Sequence, residues 1–88
     1  MLNNRRSELE IIAEILTVSK NGAKTTEILY KGYLSYTQFK LYLPYLVKKN
    51  ILAEQACNGD NGYSKKYITT EKGRDLLKDI DKTLSYFK

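Results

Sequence analysis

Apolar residues recur at helical spacing in three stretches of this chain, near the N-terminus, in the middle and at the C-terminus. These stretches cover residues 7–20, 36–49 and 71–88, and a serine or threonine that can cap a helix stands at the start of each. A shorter pattern at residues 25–31 opens with two threonines. The order of polar and apolar positions therefore predicts four helices.

Two short extended segments lie between the third and the fourth predicted helix. Residues 51–57 and 63–69 carry strand-compatible side chains and flank the turn-forming sequence NGDNG at residues 58–62. A turn-linked helix pair followed by such a hairpin is the layout of a winged helix-turn-helix. We expect an α+β fold, mostly α, with three helices, a two-stranded wing and a C-terminal helix. Residues 1–70 would form the domain, and residues 71–88 a helix that serves dimerisation.

Five residues set expectations for where the helices begin, end or bend. Gly32 and Asn50 are expected in the left-handed conformation that closes the second and third helix, because glycine and asparagine tolerate it best. Ser35 and Thr70 are expected to cap the helices that follow them. Pro44 falls inside the third helix, where it removes a backbone donor and crowds the carbonyl four residues earlier, so we expect a kink or a break there.

The third helix has an apolar face and a polar face when it is projected at 100° per residue. The residues expected in the core are Phe39, Leu43, Leu46 and Val47. The opposite face carries short or planar polar groups in its first turns, which can reach base edges and phosphates. Its candidate DNA-binding residues are Ser35, Tyr36, Thr37, Gln38, Lys40 and Leu41.

The positive charge of the chain is concentrated in its central part. The net charge is +5, and residues 20–70 alone hold eight lysines against three acidic residues, so 8 − 3 = +5 falls on the helix pair and the hairpin. Clustered positive charge favours a polyphosphate, because binding neutralises phosphates and releases condensed counterions. The alternative is that the lysines only solvate a small protein. Candidate wing and backbone contacts are Lys24, Lys48, Tyr63, Lys65 and Lys66.

The last helix carries an apolar stripe with intervals of three, four and three residues, which resembles the seam between two paired helices. The stripe consists of Leu77, Ile80, Leu84 and Phe87. The first helix has apolar residues on two opposite faces, which indicates that both are covered, one of them by a partner subunit or another element. These patterns favour a homodimer. A last helix that folds back on its own domain is the alternative.

Residues that catalyse reactions or bind metals are scarce. The chain has no histidine and a single cysteine, Cys57, and it shows no metal-ligand cluster, nucleophile–base pair or phosphate-cradling glycine loop. It contains no signal-peptide pattern and no apolar run near the roughly 20 residues of a membrane span. We therefore expect a soluble cytoplasmic protein that is not an enzyme, needs no cofactor and does not enter a membrane.

Several segments resemble a family of small archaeal winged-helix DNA-binding proteins, which includes chromatin-associated dimers and regulators of archaea, their plasmids and viruses. The segments are RRSELEIIAEIL, GAKTTEILYKGYLSY, LSYTQFKLYLPYL, YLVKKNIL and the TEKG that opens the last helix. The resemblance implies a DNA-binding domain whose long C-terminal helix pairs antiparallel in a dimer. By matching position, residues 35–40 would approach the major groove, Lys65 and Lys66 would be wing contacts, and Arg5 and Arg6 would contact the DNA backbone.

The leading hypothesis is a nucleoid-associated transcription regulator that binds double-stranded DNA. A homodimer would read two half-sites about one helical turn apart. One alternative is an architectural protein that coats DNA with little sequence preference. Another is a protein-interaction module that uses its tyrosines as a contact surface.

Overall fold

Four helices and three strands make up the part of the chain that the structure describes. The computed structural model gives the backbone of residues 8–59 and 62–86 and the side chains of residues 8–56 and 65–86. In chain order, the elements are α1 (Glu8–Val18), β1 (Ala23–Lys24), α2 (Thr25–Lys31), α3 (Tyr36–Lys48), β2 (Leu52–Gly59), β3 (Gly62–Thr69) and α4 (Glu71–Ser85). The expected α+β layout of a winged helix-turn-helix is confirmed.

The hairpin is longer than predicted and gains a third strand. β2 and β3 pair antiparallel along their whole length, so the pairing includes Gly59 and Gly62 of the predicted turn. β1 pairs with the other side of β3 through Ala23 and Lys24, which gives the strand order β1-β3-β2. β1 is not among the predicted elements, because a strand of two residues is too short to show a period of two.

The turn between α2 and α3 differs from the prediction by one residue. The left-handed residue is Tyr33, with a φ of 53°, whereas Gly32 is right-handed with a φ of −84°. The N–H of Leu34 donates to the carbonyl of Leu29 over 3.0 Å, which is the bond that defines a Schellman motif. Leu34 is buried in the core. In this motif the left-handed residue directly precedes the buried one. The burial of Leu34 therefore places the left-handed conformation at residue 33, although a glycine is available at residue 32.

α3 begins and ends at the predicted residues. The N–H of Gln38 donates to Ser35 Oγ, and Gln38 Oε1 accepts the N–H of Ser35, each over 3.1 Å, which forms a capping box. At the other end, Asn50 is left-handed with a φ of 62°. The N–H of Ile51 then donates to the carbonyl of Leu46 over 2.9 Å and closes a second Schellman motif.

Pro44 lies inside α3 and does not break it. The helix runs unbroken from Tyr36 to Lys48, so the predicted break does not occur. Proline has no N–H, and the carbonyl of Lys40 therefore cannot receive the usual bond from the residue four positions later. Pro44 is exposed, which leaves that carbonyl on the side of the helix that solvent can reach.

α4 folds back on α1 and closes the core. Leu77 and Ile80 are only 7% and 3% exposed within the single chain. The α1 residues of the same core cluster are Ile11, Ala13, Ile15 and Leu16. The first half of the predicted dimer seam, Leu77 and Ile80, is thus covered by the chain's own domain. Leu84 is half-buried against the core, and Phe87 lies outside the described residues.

The start of α4 is bonded to the end of α3. Thr70 Oγ1 donates to the carbonyl of Asn50 over 2.7 Å and accepts the N–H of Gly73 over 3.0 Å, which confirms Thr70 as the cap of α4. The N–H of Thr70 also donates to the carbonyl of Ile51 over 3.1 Å. Glycine is required at position 73, because a Cβ there would clash with that same carbonyl.

Candidate nucleic-acid interface

The face of α3 that points away from the core presents four of the six predicted recognition residues. Tyr36 is 62% exposed and Leu41 is 66% exposed, and Thr37 and Lys40 are exposed beside them. These side chains lie in the first turns of α3, the part of a recognition helix that contacts base edges when it enters a major groove. The expected division of this helix into a core face and a free face is confirmed.

Ser35 and Gln38, the other two predicted DNA-binding residues, are bonded to each other at the start of α3. Their side chains are used in the capping box at the start of α3, and Gln38 is half-buried. The amide oxygen of Gln38 is therefore committed to the backbone, and its NH₂ group is the part that keeps hydrogen-bonding capacity. Gln38 can therefore offer a base only hydrogen-bond donors.

Lys40 and Tyr36 form a pair on the exposed face. The ammonium of Lys40 lies 5.2 Å from the centre of the Tyr36 ring, within the range of a cation–π contact. The Tyr36 ring is in turn stacked on Phe39, with 6.4 Å between ring centres and 6° between the planes. Because Phe39 is part of the core, this stack positions a positive charge near the start of α3.

The two wing lysines lie mid-strand and on opposite faces of β3. Their partners on β2 are Ala56 for Lys65 and Gln55 for Lys66. Neighbouring residues of a strand point to opposite sides. The two lysines therefore cannot act together on one phosphate. They contribute to two separate surfaces.

Lys65 belongs to the surface that faces α3, where it joins a small polar network. Its ammonium lies 3.6 Å from Glu54 Oε2, and the hydroxyl of Tyr67 donates to the same oxygen over 3.1 Å. Burial, followed by the bond to Glu54 and its charge, raises the pKa of Tyr67 to about 12. Sequence reasoning did not identify Glu54 and Tyr67. Strand alternation puts Tyr67 on the same face as Lys65, which was the signal available.

Lys66 belongs to the other surface, next to Lys24. The two lysines are register partners on β3 and β1, so their side chains lie on the same face of the sheet. The Lys66 side chain crosses over Gly22, where a Cβ would clash with it and where φ is 95°. Adjacent like charges repel each other, and an anion between them removes that repulsion.

The charges of the helices differ in sign across the molecule. α3 carries Lys40 and Lys48 and no acidic residue, which gives +2, whereas α1 carries three glutamates and no basic residue, which gives −3. Lys48 is exposed one turn beyond Pro44. A polyanion is therefore attracted to the α3 side of the protein and repelled from α1.

Some predicted contacts lie outside the described residues. These are Arg5, Arg6 and the side chain of Tyr63, and the same holds for the side chain of Cys57. Within residues 8–59 and 62–86, no helix is long and apolar enough to cross a membrane. The same part of the chain contains no group of three side chains that could hold a metal ion.

Comparisons with known proteins agree with this geometry. A family model described as winged helix-turn-helix matches residues 5–87. The structure of Sso10a-2, a DNA-binding protein from Sulfolobus solfataricus, is similar with a TM-score of 0.79 and 27% identity, over 92% of this chain and 81% of that one. No curated protein matches the sequence.

Two further solved structures share the fold at lower identity. A PadR-like transcription factor from Bacteroides fragilis has a TM-score of 0.74 at 18% identity, over 88% of this chain and 81% of that one. A possible transcriptional regulator from Methanosarcina mazei Go1 has a TM-score of 0.61, also at 18% identity, over 91% of this chain and 71% of that one. At this identity the likeness concerns the fold alone.

Proposed function

We propose that this chain, which belongs to the winged helix-turn-helix family, binds duplex DNA and regulates transcription. α3 would enter the major groove, and the wing would lie along the phosphate backbone or in the minor groove. The observation that carries the proposal is the exposed face of α3, which presents Tyr36, Thr37, Lys40 and Leu41 together with a net charge of +2. A protein that works on DNA in this way would be located with the nucleoid.

The family and its relatives support this choice of function. Winged helix-turn-helix proteins of this kind are not enzymes, so the expectation that the chain has no catalytic activity is confirmed by its family. Sso10a-2 is a DNA-binding protein, and at 27% identity it resembles this chain in sequence as well as in fold. Its DNA binding supports the same activity here.

We assign different tasks to the basic residues within this proposal. Lys40 and Lys48 on α3 would contact phosphates on either side of the major groove, and Lys65 would extend this contact from the wing. Lys24 and Lys66 would hold a phosphate between them on the other face of the sheet, where their mutual repulsion favours an anion. Thr37 and the NH₂ group of Gln38 would reach base edges.

The proposed homodimer would use only the last part of α4. The first turns of α4 are occupied by the core, whereas Leu84 is half-buried and Tyr86 is 76% exposed. α4 begins next to the end of α1, where Arg74 donates to the carbonyl of Lys20 over 3.3 Å, and packs back along that helix. On α1, Leu9 is 42% exposed and is a second apolar side chain that a partner subunit could cover. In this proposal residues 1–70 bind DNA, and the end of segment 71–88 joins the subunits.

The test is a titration of purified protein against genomic and random duplex DNA, followed by fluorescence anisotropy over a series of salt concentrations. A specific regulator is expected to bind a subset of genomic fragments roughly a thousandfold more tightly than random DNA. Equal affinity for all fragments, with a steep fall as salt increases, would replace the regulator by an architectural protein. Folded protein that fails to bind at low salt would refute DNA binding altogether.

Sedimentation of the same protein measures the dimer separately. Substitution of Tyr86 by a charged residue, Tyr86→Glu, is expected to produce monomers without unfolding the chain, because this side chain is exposed. The matched control is Tyr30→Glu, since Tyr30 is 83% exposed and lies on α2. A wild-type chain that sediments as a monomer at all concentrations would refute the dimer and leave DNA binding open.

A protein-interaction module is the second candidate, and the exposed tyrosines favour it. Tyr30 and Tyr33 are more than four-fifths exposed at the end of α2, and tyrosine is enriched in protein interfaces. Loss of DNA affinity in variants of Lys40 and Lys48, with full affinity in variants of Tyr30 and Tyr33, would decide against this candidate.

A further inference from the structure

A groove between α3 and the wing has the size and the lining of a small-molecule site. Its volume is about 530 Å³, within the roughly 300–1,000 Å³ of known ligand pockets. The apolar and aromatic side chains that line it are Tyr36, Phe39, Leu43, Pro44, Val47 and Tyr67. We call this space the α3–wing groove. Two of its aromatic residues, Phe39 and Tyr67, are packed edge to face with 6.2 Å between ring centres.

The wall of the groove on the α3 side carries positive charge. Lys40, Pro44 and Lys48 follow one another at intervals of four residues, so they form one row along the helix. Neither lysine forms an ion pair with a residue in the described ranges, which are 8–59 and 62–86.

The wall on the wing side is electrically balanced. Glu54 is the acidic residue of the groove, and Lys65 and the Tyr67 hydroxyl both contact its Oε2 atom. Glu54 is therefore neutralised within the wing. The charge of the lining, three lysines and one glutamate, is 3 − 1 = +2, and the uncompensated part lies on the α3 side.

We propose that the α3–wing groove binds a flat aromatic carboxylate and that this ligand opposes DNA binding. Stacked and edge-on rings with apolar side chains match an aromatic ring, and the lysine ammonium groups of the α3 wall match a carboxylate. A simple inorganic anion could use the lysines and would gain nothing from the apolar lining.

The ligand is predicted to weaken DNA binding, because the ligand and DNA would use the same two lysine side chains. Lys40 and Lys48 would contact phosphates in the proposed DNA complex, and a carboxylate in the groove would occupy them. Ligand and DNA would then compete, and the ligand would act as an inducer. The regulatory half of this inference rests on the proposed function, whereas ligand binding to the free protein does not.

The first experiment measures ligand binding without DNA. The full chain, labelled with ¹⁵N, is titrated with 2-naphthoate, and amide shifts are followed by NMR. We expect saturable shifts confined to α3, β2 and β3, and clearly weaker binding of the neutral analogue 2-naphthamide. Lys48→Ala is expected to weaken naphthoate binding by up to about fivefold, the effect of one exposed charge pair.

The control variant is Lys78→Ala, which removes an exposed lysine of α4 that does not line the groove. It should bind naphthoate like the wild type. Shifts that do not saturate, shifts centred outside the groove, or equal binding of naphthoate and naphthamide would overturn the site. An equal loss of affinity in Lys48→Ala and Lys78→Ala would do the same, because it would show attraction by net charge alone.

The second experiment adds 2-naphthoate to the anisotropy titration with duplex DNA. An increase in the apparent Kd for DNA with naphthoate, and none with naphthamide, would support competition. Naphthoate that saturates the groove and leaves the Kd for DNA unchanged would overturn the regulatory half. Protein that binds naphthoate and no DNA would refute the proposed function while it supports the ligand site.

Discussion

The double substitution Lys40→Ala/Lys48→Ala tests the electrostatic part of the proposed DNA contact. Each lysine that neutralises a phosphate contributes about 0.9 to the slope of log K against log salt. Two contacts give 0.9 × 2, a decrease in slope of about 1.8. At about 0.1 M salt the same term lowers the affinity by about 1.8 decades, or roughly 60-fold. Anisotropy with one duplex over a range of salt concentrations measures both values.

The double variant is expected to stay folded. Both lysines are exposed, and neither is ion-paired within residues 8–59 and 62–86. The free energy of unfolding is therefore expected to change by less than about 0.5 kcal/mol, although the cation–π contact of Lys40 with Tyr36 is lost. Thermal unfolding followed by circular dichroism measures this before the DNA titration.

A matched double variant distinguishes the loss of defined phosphate contacts from the loss of net positive charge. Lys78→Ala/Lys82→Ala removes the same charge from exposed positions of α4, and its salt slope should equal that of the wild type. A decrease in slope as large as that of Lys40→Ala/Lys48→Ala would refute the reasoning, since only the net charge of the protein would then matter. An unchanged slope in Lys40→Ala/Lys48→Ala would refute it as well.

Three further substitutions test the structure itself. Gly73→Ala should lower the free energy of unfolding by about 1–3 kcal/mol, because its Cβ would clash with the carbonyl of Ile51; urea unfolding that shows no loss would contradict the contact. Tyr33→Gly should raise the same free energy by about 1 kcal/mol, because the left-handed φ of 53° is strained for tyrosine; a lower melting temperature would oppose this. Since the pKa of Tyr67 is raised to about 12, the unfolded chain releases this proton first, so stability should fall between about pH 10 and 12. Tyr67→Phe should lose that part of the decline, and identical pH profiles of the two proteins would contradict the raised pKa of Tyr67.

The helices could be predicted from the sequence because their signals are local. Phe39, Leu43 and Leu46 recur at helical spacing, and all three are buried. Ser35 and Thr70 cap helices through bonds to residues only three positions away. Neither signal depends on the rest of the fold, so the period and the cap residues were sufficient.

The remaining features depend on contacts between distant segments. β1 exists only because β3 lies beside it. The left-handed residue is Tyr33 and not Gly32, because the core takes Leu34. In the same way, the stripe of α4 resembles a dimer seam until α1 is placed against it, and no local pattern distinguishes a partner helix from the chain's own.

The candidate site was predictable by residue type more than by geometry. The sequence identified the lysines of α3 and of the wing. Their arrangement needed the strand register, which places Lys65 with Glu54 and Lys66 with Lys24. The α3–wing groove could not be predicted at all, because it is formed by two elements whose separation no sequence pattern specifies.

The hydrogen bonds from Thr70 connect the start of α4 to the end of α3, so the two helices are expected to move as one rigid unit. Asn50 and Ile51, which follow α3, are both bonded to Thr70, which precedes α4, so the base of the hairpin holds the two helix ends together. α4 has 15 residues and is about 22 Å long at 1.5 Å per residue. A tilt of about 5° at its base would therefore move its far end by about 2 Å. In the proposed dimer, mutations at the end of α4 would thus adjust the distance between the two α3 helices while every side chain proposed to contact DNA stays unchanged.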